Sequence, residues 1–428
     1  METIKQYKKR TFSSLHIRNF RLYFLGQAIS FSGTWMQNVA QGLLILQLTG
    51  SGTALGLLIA AQFLPILLFG TFGGVIADRF SKRRILFLTQ TISGMLAFIL
   101  GVLVLTGLVQ IWMVYALALC LGLVTALDNP TRQTFIFEMV GKGHIRNAVS
   151  LNAVMVNIAR VVGPSLAGIL VPTVGLAICF FVNAFSFVAV LAVLFIMNPK
   201  ELMPAAHAKR LKGQLMHGLQ YVNRTHSLRT VLLMMLLIGT FTYEFQVILP
   251  LLAEFTFNNA VSGYALLSSA MGVGAVIGGL LSASNKKTSL DSIVTISILF
   301  GLTVWLVAIV PTLQMAALGM VLVGIFSTSF LSQANAYLQV KSMPEMRGRV
   351  MSLWTVAFLG TTPIGAPIIG YISEASSPRW SLFVSGLAAV LAALLAYMLI
   401  KRDEEHVITP EVELAHEHAS SDRNIHMR

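Results

Sequence analysis

The stretch GGVIADRFSKRR, residues 73–84, joins two long apolar runs, 54–77 and 85–106, through a short and strongly basic turn. A helix needs about 20 mostly apolar residues to cross the hydrocarbon core of a bilayer. Each run is that long, and neither carries a charge outside the turn. The segment therefore reads as two membrane-crossing helices folded back across a loop that stays at one face. Gly73 and Gly74 allow close helix approach, and Asp78 can pair with a neighbouring cation or helix N-terminus. Arg79, Lys82, Arg83 and Arg84 suit a basic membrane face.

The pattern continues outward in both directions. Apolar runs of spanning length fall near 20–47, 54–77, 85–106, 110–130, 147–171 and 174–197, then near 229–254, 262–283, 291–310, 313–337, 349–372 and 380–400. Apolar residues make up 56% of the 428 and charged residues only 11%, with mean hydropathy +0.77. Soluble domains carry about 25% charged residues, so a water-exposed surface is excluded. Alternating segments of about ten residues, the mark of a membrane barrel, do not occur. The expected fold is an all-α membrane protein with 12 transmembrane helices.

Charge placement sets the expected orientation, because Lys and Arg concentrate in inner loops. With the N-terminus inside, all but two of the 30 Lys and Arg residues fall on the inner side; the exceptions are Arg379 in an outer loop and Arg160 within a span. The net charge of +13 is thus a topology signal and calls for no nucleic-acid partner. Both termini are expected in the cytoplasm of a bacterial-type inner membrane. Residues 1–19 lack the apolar core and cleavage site of a signal peptide. Cys120 and Cys179 fall inside spans and read as unpaired thiols; His416, Glu417 and His418 read as part of a solvated tail rather than a metal site.

The polar stretch 198–228 divides the chain into helical bundles at 20–197 and 229–400, flanked by an N-terminal segment 1–19 and a disordered tail 401–428. Residues 205–221 within the linker have the makings of an amphipathic surface helix. The halves echo each other: Gly122, Ser150, Leu151, Gly163 and Gly168 correspond to Gly324, Ser352, Leu353, Gly365 and Gly370, and Gly73-Gly74 recurs as Gly278-Gly279. Two pseudo-symmetric six-helix bundles place a substrate site between them near mid-membrane, with rocking to expose it alternately.

The 73–84 turn resembles the signature loop of the major facilitator superfamily. Gly74, Asp78, Arg79, Lys82 and Arg83 match it, and Ser81 replaces its second glycine. The resemblance implies that Asp78 and Arg79 help latch the halves on the inner side in the outward-open state. The second copy keeps Lys286 and Lys287 but has Ala283 where Asp would stand, an asymmetric latch. Residues 160–168, RVVGPSLAG, resemble the antiporter motif of superfamily exporters through Gly163, Pro164 and Gly168, with Ala167 in place of one glycine. A proline there frees a carbonyl and the glycines permit tight packing. Ala118 stands where drug–proton antiporters of the superfamily carry Arg. The run DNPTRQ, 128–133, looks closest to the branch of enterobactin-type siderophore exporters and macrolide efflux pumps.

Charges within a bilayer cost roughly 2.5–3.5 kcal/mol and usually mark function. Glu244 and Arg160 lie near mid-depth, and Asp128 lies towards the inner end of its span near Arg132. Burial disfavours a carboxylate's charged form and a neighbouring cation opposes this, so Glu244, then Asp128, are candidates for proton exchange. Arg160 can serve an anionic substrate or pair with a carboxylate. The resemblance further implies that the first, fourth, seventh and tenth spans line the cavity. Polar residues do recur at helical spacing there: Ser30, Thr34, Gln37, Asn38 and Gln41; Thr240 and Tyr243; Ser329, Ser332 and Gln333. Such stripes can equally join helices by hydrogen bonds. Trp35 offers an aromatic contact to substrate.

The expected function is secondary active export of a small amphipathic molecule, siderophore or drug-like, as in multidrug resistance, by proton antiport. A proton-coupled uptake symporter and a non-transporting receptor or assembly factor of the same fold are the alternatives. No enzyme, no cofactor and no ATP-binding P-loop is expected, and the protein is expected to act as a monomer.

Overall fold

The computed structural model describes residues 13–203, 214–284 and 288–425, with side chains to Lys401; the side chains of Thr71, Val75, Asp78, Gln214, Leu215 and Ser284 lie outside the description. The described residues are almost entirely helical. The helices are α1 (Arg18–Thr49), α2 (Gly52–Arg79), α3 (Lys82–Leu105), α4 (Ile111–Val174), α5 (Leu176–Ile196), α6 (Gln214–Arg224), α7 (His226–Phe241) and α8 (Phe245–Leu251). A π-helical turn over Leu252–Thr256 leads to α9 (Ala260–Ser284), α10 (Leu290–Ile309), α11 (Leu313–Lys341), α12 (Arg347–Leu359), α13 (Thr362–Ala375) and α14 (Pro378–Ile425).

Ten helical stretches among the described residues are long and apolar enough to cross a membrane. Twelve apolar runs become ten for two local reasons. The expected spans 110–130 and 147–171 merge into α4, where Gly141 alone leaves helical geometry (φ 64°, ψ −176°). α1 falls short of the apolar threshold because of its polar face. Conversely, the expected spans 229–254 and 349–372 are each interrupted, at Thr242–Glu244 and at Gly360–Thr361.

The first interruption has a tertiary cause. Thr242 donates its hydroxyl to the Ser385 carbonyl on α14 at 2.8 Å, and Ser385 donates back to the Phe241 carbonyl at 2.7 Å. Residues that would continue the helix are bonded to another helix instead. In the second interruption Pro363 opens α13, where its missing N–H costs nothing.

α1 to α5 pack chiefly on one another, as do α7 to α14. The two groups meet along α2 with α13 and along α4 with α9. Glycines make both seams tight. A side chain on Gly56 would collide with the Ala366 carbonyl, and one on Gly52 would come within 2.6 Å of the Gly370 carbonyl. On the other seam Gly168 faces Ala265, and Ser165 and Ser269 share a 2.9 Å hydrogen bond. Small residues at helix contacts let backbones approach where lipid offers no hydrophobic drive.

The two ends of the molecule differ. One carries the turn at Arg79–Arg84 and the linker, and is called the basic end here. At the opposite end Glu374 on α13 bridges the groups: its carboxylate accepts from the Ser51 hydroxyl (2.6 Å) and the Thr53 N–H (2.9 Å) at the start of α2. A carboxylate at a helix N-terminus is favourably placed against the helix dipole. Arg379, one of the two cations expected away from the inner side, donates to the Ala308 and Val310 carbonyls at 2.7 and 2.9 Å, closing the end of α10.

The signature turn is anchored within the first group of helices. Lys82 is buried and pairs with Glu138 on α4 at 2.9 Å, while Arg83 donates to the Leu194 and Phe195 carbonyls at the end of α5. Arg79 is exposed, Gly74 is half-buried, and a side chain on Gly73 would strike the Ala126 carbonyl. That carbonyl sits four residues before Pro130, which has no N–H to offer it. The Asp78 side chain, Lys286 and Lys287 lie outside the described residues, as do residues 205–213 of the expected surface helix and the side chains of His416, Glu417 and His418. Of that surface helix the structure describes α6, seated on α12 with the Tyr221 hydroxyl accepting from the Met343 N–H at 3.2 Å.

Candidate functional site

Between the two groups of helices lies a cavity of about 470 Å³. It has the size of a small-molecule site. Its wall on α1 runs from Gln27 to Val39 and stops there, although the helix continues to Thr49. Asp128, Asn129 and Arg132 on α4 extend the wall towards the basic end. The opposite end is closed by the Gly52–Gly370 and Glu374 contacts described above.

Three expected charges line this cavity, in very different states. Asp128 is fully engaged. It pairs with Arg132 at 3.0 Å and accepts from the Thr89 hydroxyl at 2.7 Å and the Gln90 amide at 2.9 Å. Arg132 also donates to Asn129 and stacks over the Phe31 ring at 4.6 Å. The DNPTRQ run thus ties α1, α3 and α4 together.

Glu244 is different. It is buried at the α7–α8 interruption, in contact with the Thr362 hydroxyl, yet its Oε1 has no hydrogen-bond partner among the described residues. Gly365 makes the room: a side chain there would collide with the Thr240 carbonyl and come 3.1 Å from Oε1.

Arg160 has its Nε buried without a partner, and its guanidinium lies 5.1 Å from the centre of the Trp35 ring. The ion pairs among the described residues are Lys82–Glu138 and Arg132–Asp128, so no described carboxylate neutralises Arg160. Tyr243 lines the same cavity and donates its hydroxyl to the Ser327 carbonyl at 2.7 Å. Gly163, one turn along α4, packs directly on Trp35 Cβ, the Met36 nitrogen and the Ser32 carbonyl, which seats Arg160 near that ring. Pro164 reaches the cavity wall; Gly168 serves the α4–α9 seam.

The polar stripes divide. Asn38, Trp35, Thr34 and Ser30 face the cavity. Gln37 and Gln41 turn into α1's own group, where the Asn183 amide donates to Gln37 at 2.7 Å. Thr240 bonds back to the Leu236 carbonyl, Gln333 accepts from Ser292 at 2.8 Å, and Ser332 is exposed; none of the three lines the cavity. Sequence reading passed over Gln62, Gln90, Gln246 and Ser268, which do. Gln62 is an isolated polar residue inside an otherwise apolar run, and that isolation was the available signal.

Residues 9–421 match the family model of transmembrane secretion effectors. The staphyloferrin A transporter of Staphylococcus aureus is 22% identical over 392 residues, covering 89% of this chain and 96% of that protein. The enterobactin exporter EntS of Salmonella choleraesuis is 25% identical over 400 residues, covering 92% and 95%. Among solved structures, a bacterial homologue of the lysosomal transporter Spinster, inward-facing and unoccupied, superposes with a TM-score of 0.69 at 16% identity over 89% of this chain and 96% of that one. The POT family transporter PepTSo gives 0.72 at 12% identity, covering 91% and 99%. At such identities the structural likeness speaks for the fold.

Proposed function

The chain belongs to the transmembrane secretion effector family of the major facilitator superfamily, is a multi-pass membrane transporter and no enzyme, and on that footing we propose that it exports a small amphipathic molecule of the siderophore or drug-like kind by proton antiport. The observation that carries this reading is the cavity itself. It is sealed at one end, extends towards the other, and holds a buried carboxylate, Glu244, that the protein leaves incompletely bonded. A transporter's coupling group must be free to gain and lose its proton, and Glu244 has that freedom. Asp128 is held by two hydrogen bonds and an ion pair and serves to brace α1, α3 and α4.

Twelve crossings follow if α4 counts as two either side of Gly141, α1 as one, and α7–α8 and α12–α13 as one each. They form two six-helix bundles, 20–197 and 229–400, with the basic end and both termini in the cytoplasm, acting as a monomer. The cavity then faces the cytoplasm, and the Glu374 bridge seals the outside. The Gly74–Arg83 turn works as the inner latch in the opposite state. Relatives that transport staphyloferrin A and enterobactin support the siderophore class.

Culture supernatants of a deletion strain and its complemented counterpart, compared by mass spectrometry, test the reading. A compound released only when the protein is present is the expected result. Unchanged profiles together with unchanged drug sensitivities would contradict export.

A further inference from the structure

Arg160 is a cation that forms no ion pair among the described residues. A guanidinium stays protonated throughout the physiological range, and leaving a charge unpaired in a low-dielectric wall is costly. The three other acidic and basic side chains in the cavity wall do not relieve it. Arg132 and Asp128 are committed to each other. Glu244 lines the same cavity but makes no ion pair with Arg160.

What surrounds Arg160 is a holder. The Trp35 ring takes the guanidinium at 5.1 Å, an arrangement that a cation and an aromatic ring favour. Close packing at Gly163 fixes the distance between α1 and α4 at that point. Tyr243, tied to the Ser327 carbonyl, lines the same cavity from the second group of helices. The site therefore spans the seam that alternating access must open and close. Phe63 and Phe358 supply apolar wall in the same cavity.

We propose that Arg160, backed by Trp35 and Tyr243, is the subsite that recognises a carboxylate-type anionic group on the transported molecule, whose aromatic or aliphatic body lies against the apolar wall. Planar oxyanions suit the guanidinium fork, which binds them through two parallel hydrogen bonds. This rests on the reading of the cavity as the substrate site and adds the charge of the substrate to it. It also gives the exchange a direction. An anion moving out and a proton moving in each carry charge the way an inside-negative potential drives it.

The test uses the full chain in detergent, titrated with 1-naphthoate and with its neutral isostere 1-naphthamide at fixed chloride. Naphthoate is expected to bind at least tenfold more tightly than naphthamide. Arg160→Gln lowers naphthoate to the naphthamide level with a far smaller effect on naphthamide, and its unfolding midpoint in the same detergent reports that the variant is folded. Arg160→Lys, which keeps the charge but loses the fork, falls between. Equal affinity for the two probes, or naphthoate binding unchanged in Arg160→Gln, would overturn the proposal. Phe358→Ala separates the two levels of the argument. If it weakens both probes while Arg160→Gln spares naphthoate, the anion assignment alone fails. If it affects neither probe, the cavity is not the binding site and the broader reading fails with it.

Discussion

Asp128 and Glu244 are both acidic residues in the wall of one cavity, and they do opposite things there. Asp128 sits in a continuous helix with Thr89, Gln90 and Arg132 around it. Glu244 sits where a helix is interrupted, with an oxygen left bare. What separates them is their partners. A carboxylate whose lone pairs are taken braces the structure, whereas one kept short of partners can exchange a proton.

The sharpest way to break that contrast is to remove each group in turn and measure folding. Asp128→Ala strands Arg132 without its carboxylate, and breaking one side of a buried pair costs about 3–5 kcal/mol. Thermal unfolding in detergent should fall well below that of Glu244→Gln, which removes no ion pair. Similar losses in the two variants would erase the distinction.

A smaller effect is expected at the helix contact that shapes the Glu244 site. Gly365→Ala drives a methyl group into the Thr240 carbonyl and towards the Glu244 carboxylate. Overpacking of this kind costs about 1–3 kcal/mol. Transport should suffer more than stability, as measured by flux in proteoliposomes against the unfolding midpoint of the same preparation.

The smallest effect belongs to the sealed end. Glu374→Gln weakens the carboxylate's hold on the start of α2, and an exposed charge at one helix end is worth a shift of about twofold to fivefold in an equilibrium. With Cys120 and Cys179 replaced, a cysteine placed at Asn38 should react correspondingly faster with an impermeant thiol reagent added from that end. An unchanged rate would show that Glu374 does not hold the seal.

Much of the fold was legible because hydropathy is local: the runs around 73–84 and their ten counterparts needed no tertiary information. The interruption at Gly360–Thr361 was half-legible, with Gly360 and Pro363 flanking it. The one at Thr242–Glu244 was not, because nothing nearby in sequence forbids helix. It depends on Ser385, more than a hundred residues away, and on the space left by Gly365. The cavity stripe on α1 was legible as polar, but its facing was not. Gln37 and Asn38 are adjacent, yet one is bonded to Asn183 and the other lines the cavity. Asp128's pairing with Arg132 was readable as a neighbour four residues along; its two partners on α3 were not. Only the packed helices decide which buried charge is satisfied.

The central claim is that Glu244 carries the coupling proton. It is tested most directly in proteoliposomes loaded with the cargo identified from culture supernatants, with Glu244→Gln compared with the native chain under an imposed proton gradient. The account predicts that the variant still exchanges cargo down its own gradient but no longer accelerates when the proton gradient is applied. Gradient-driven transport at the native rate in Glu244→Gln would contradict it.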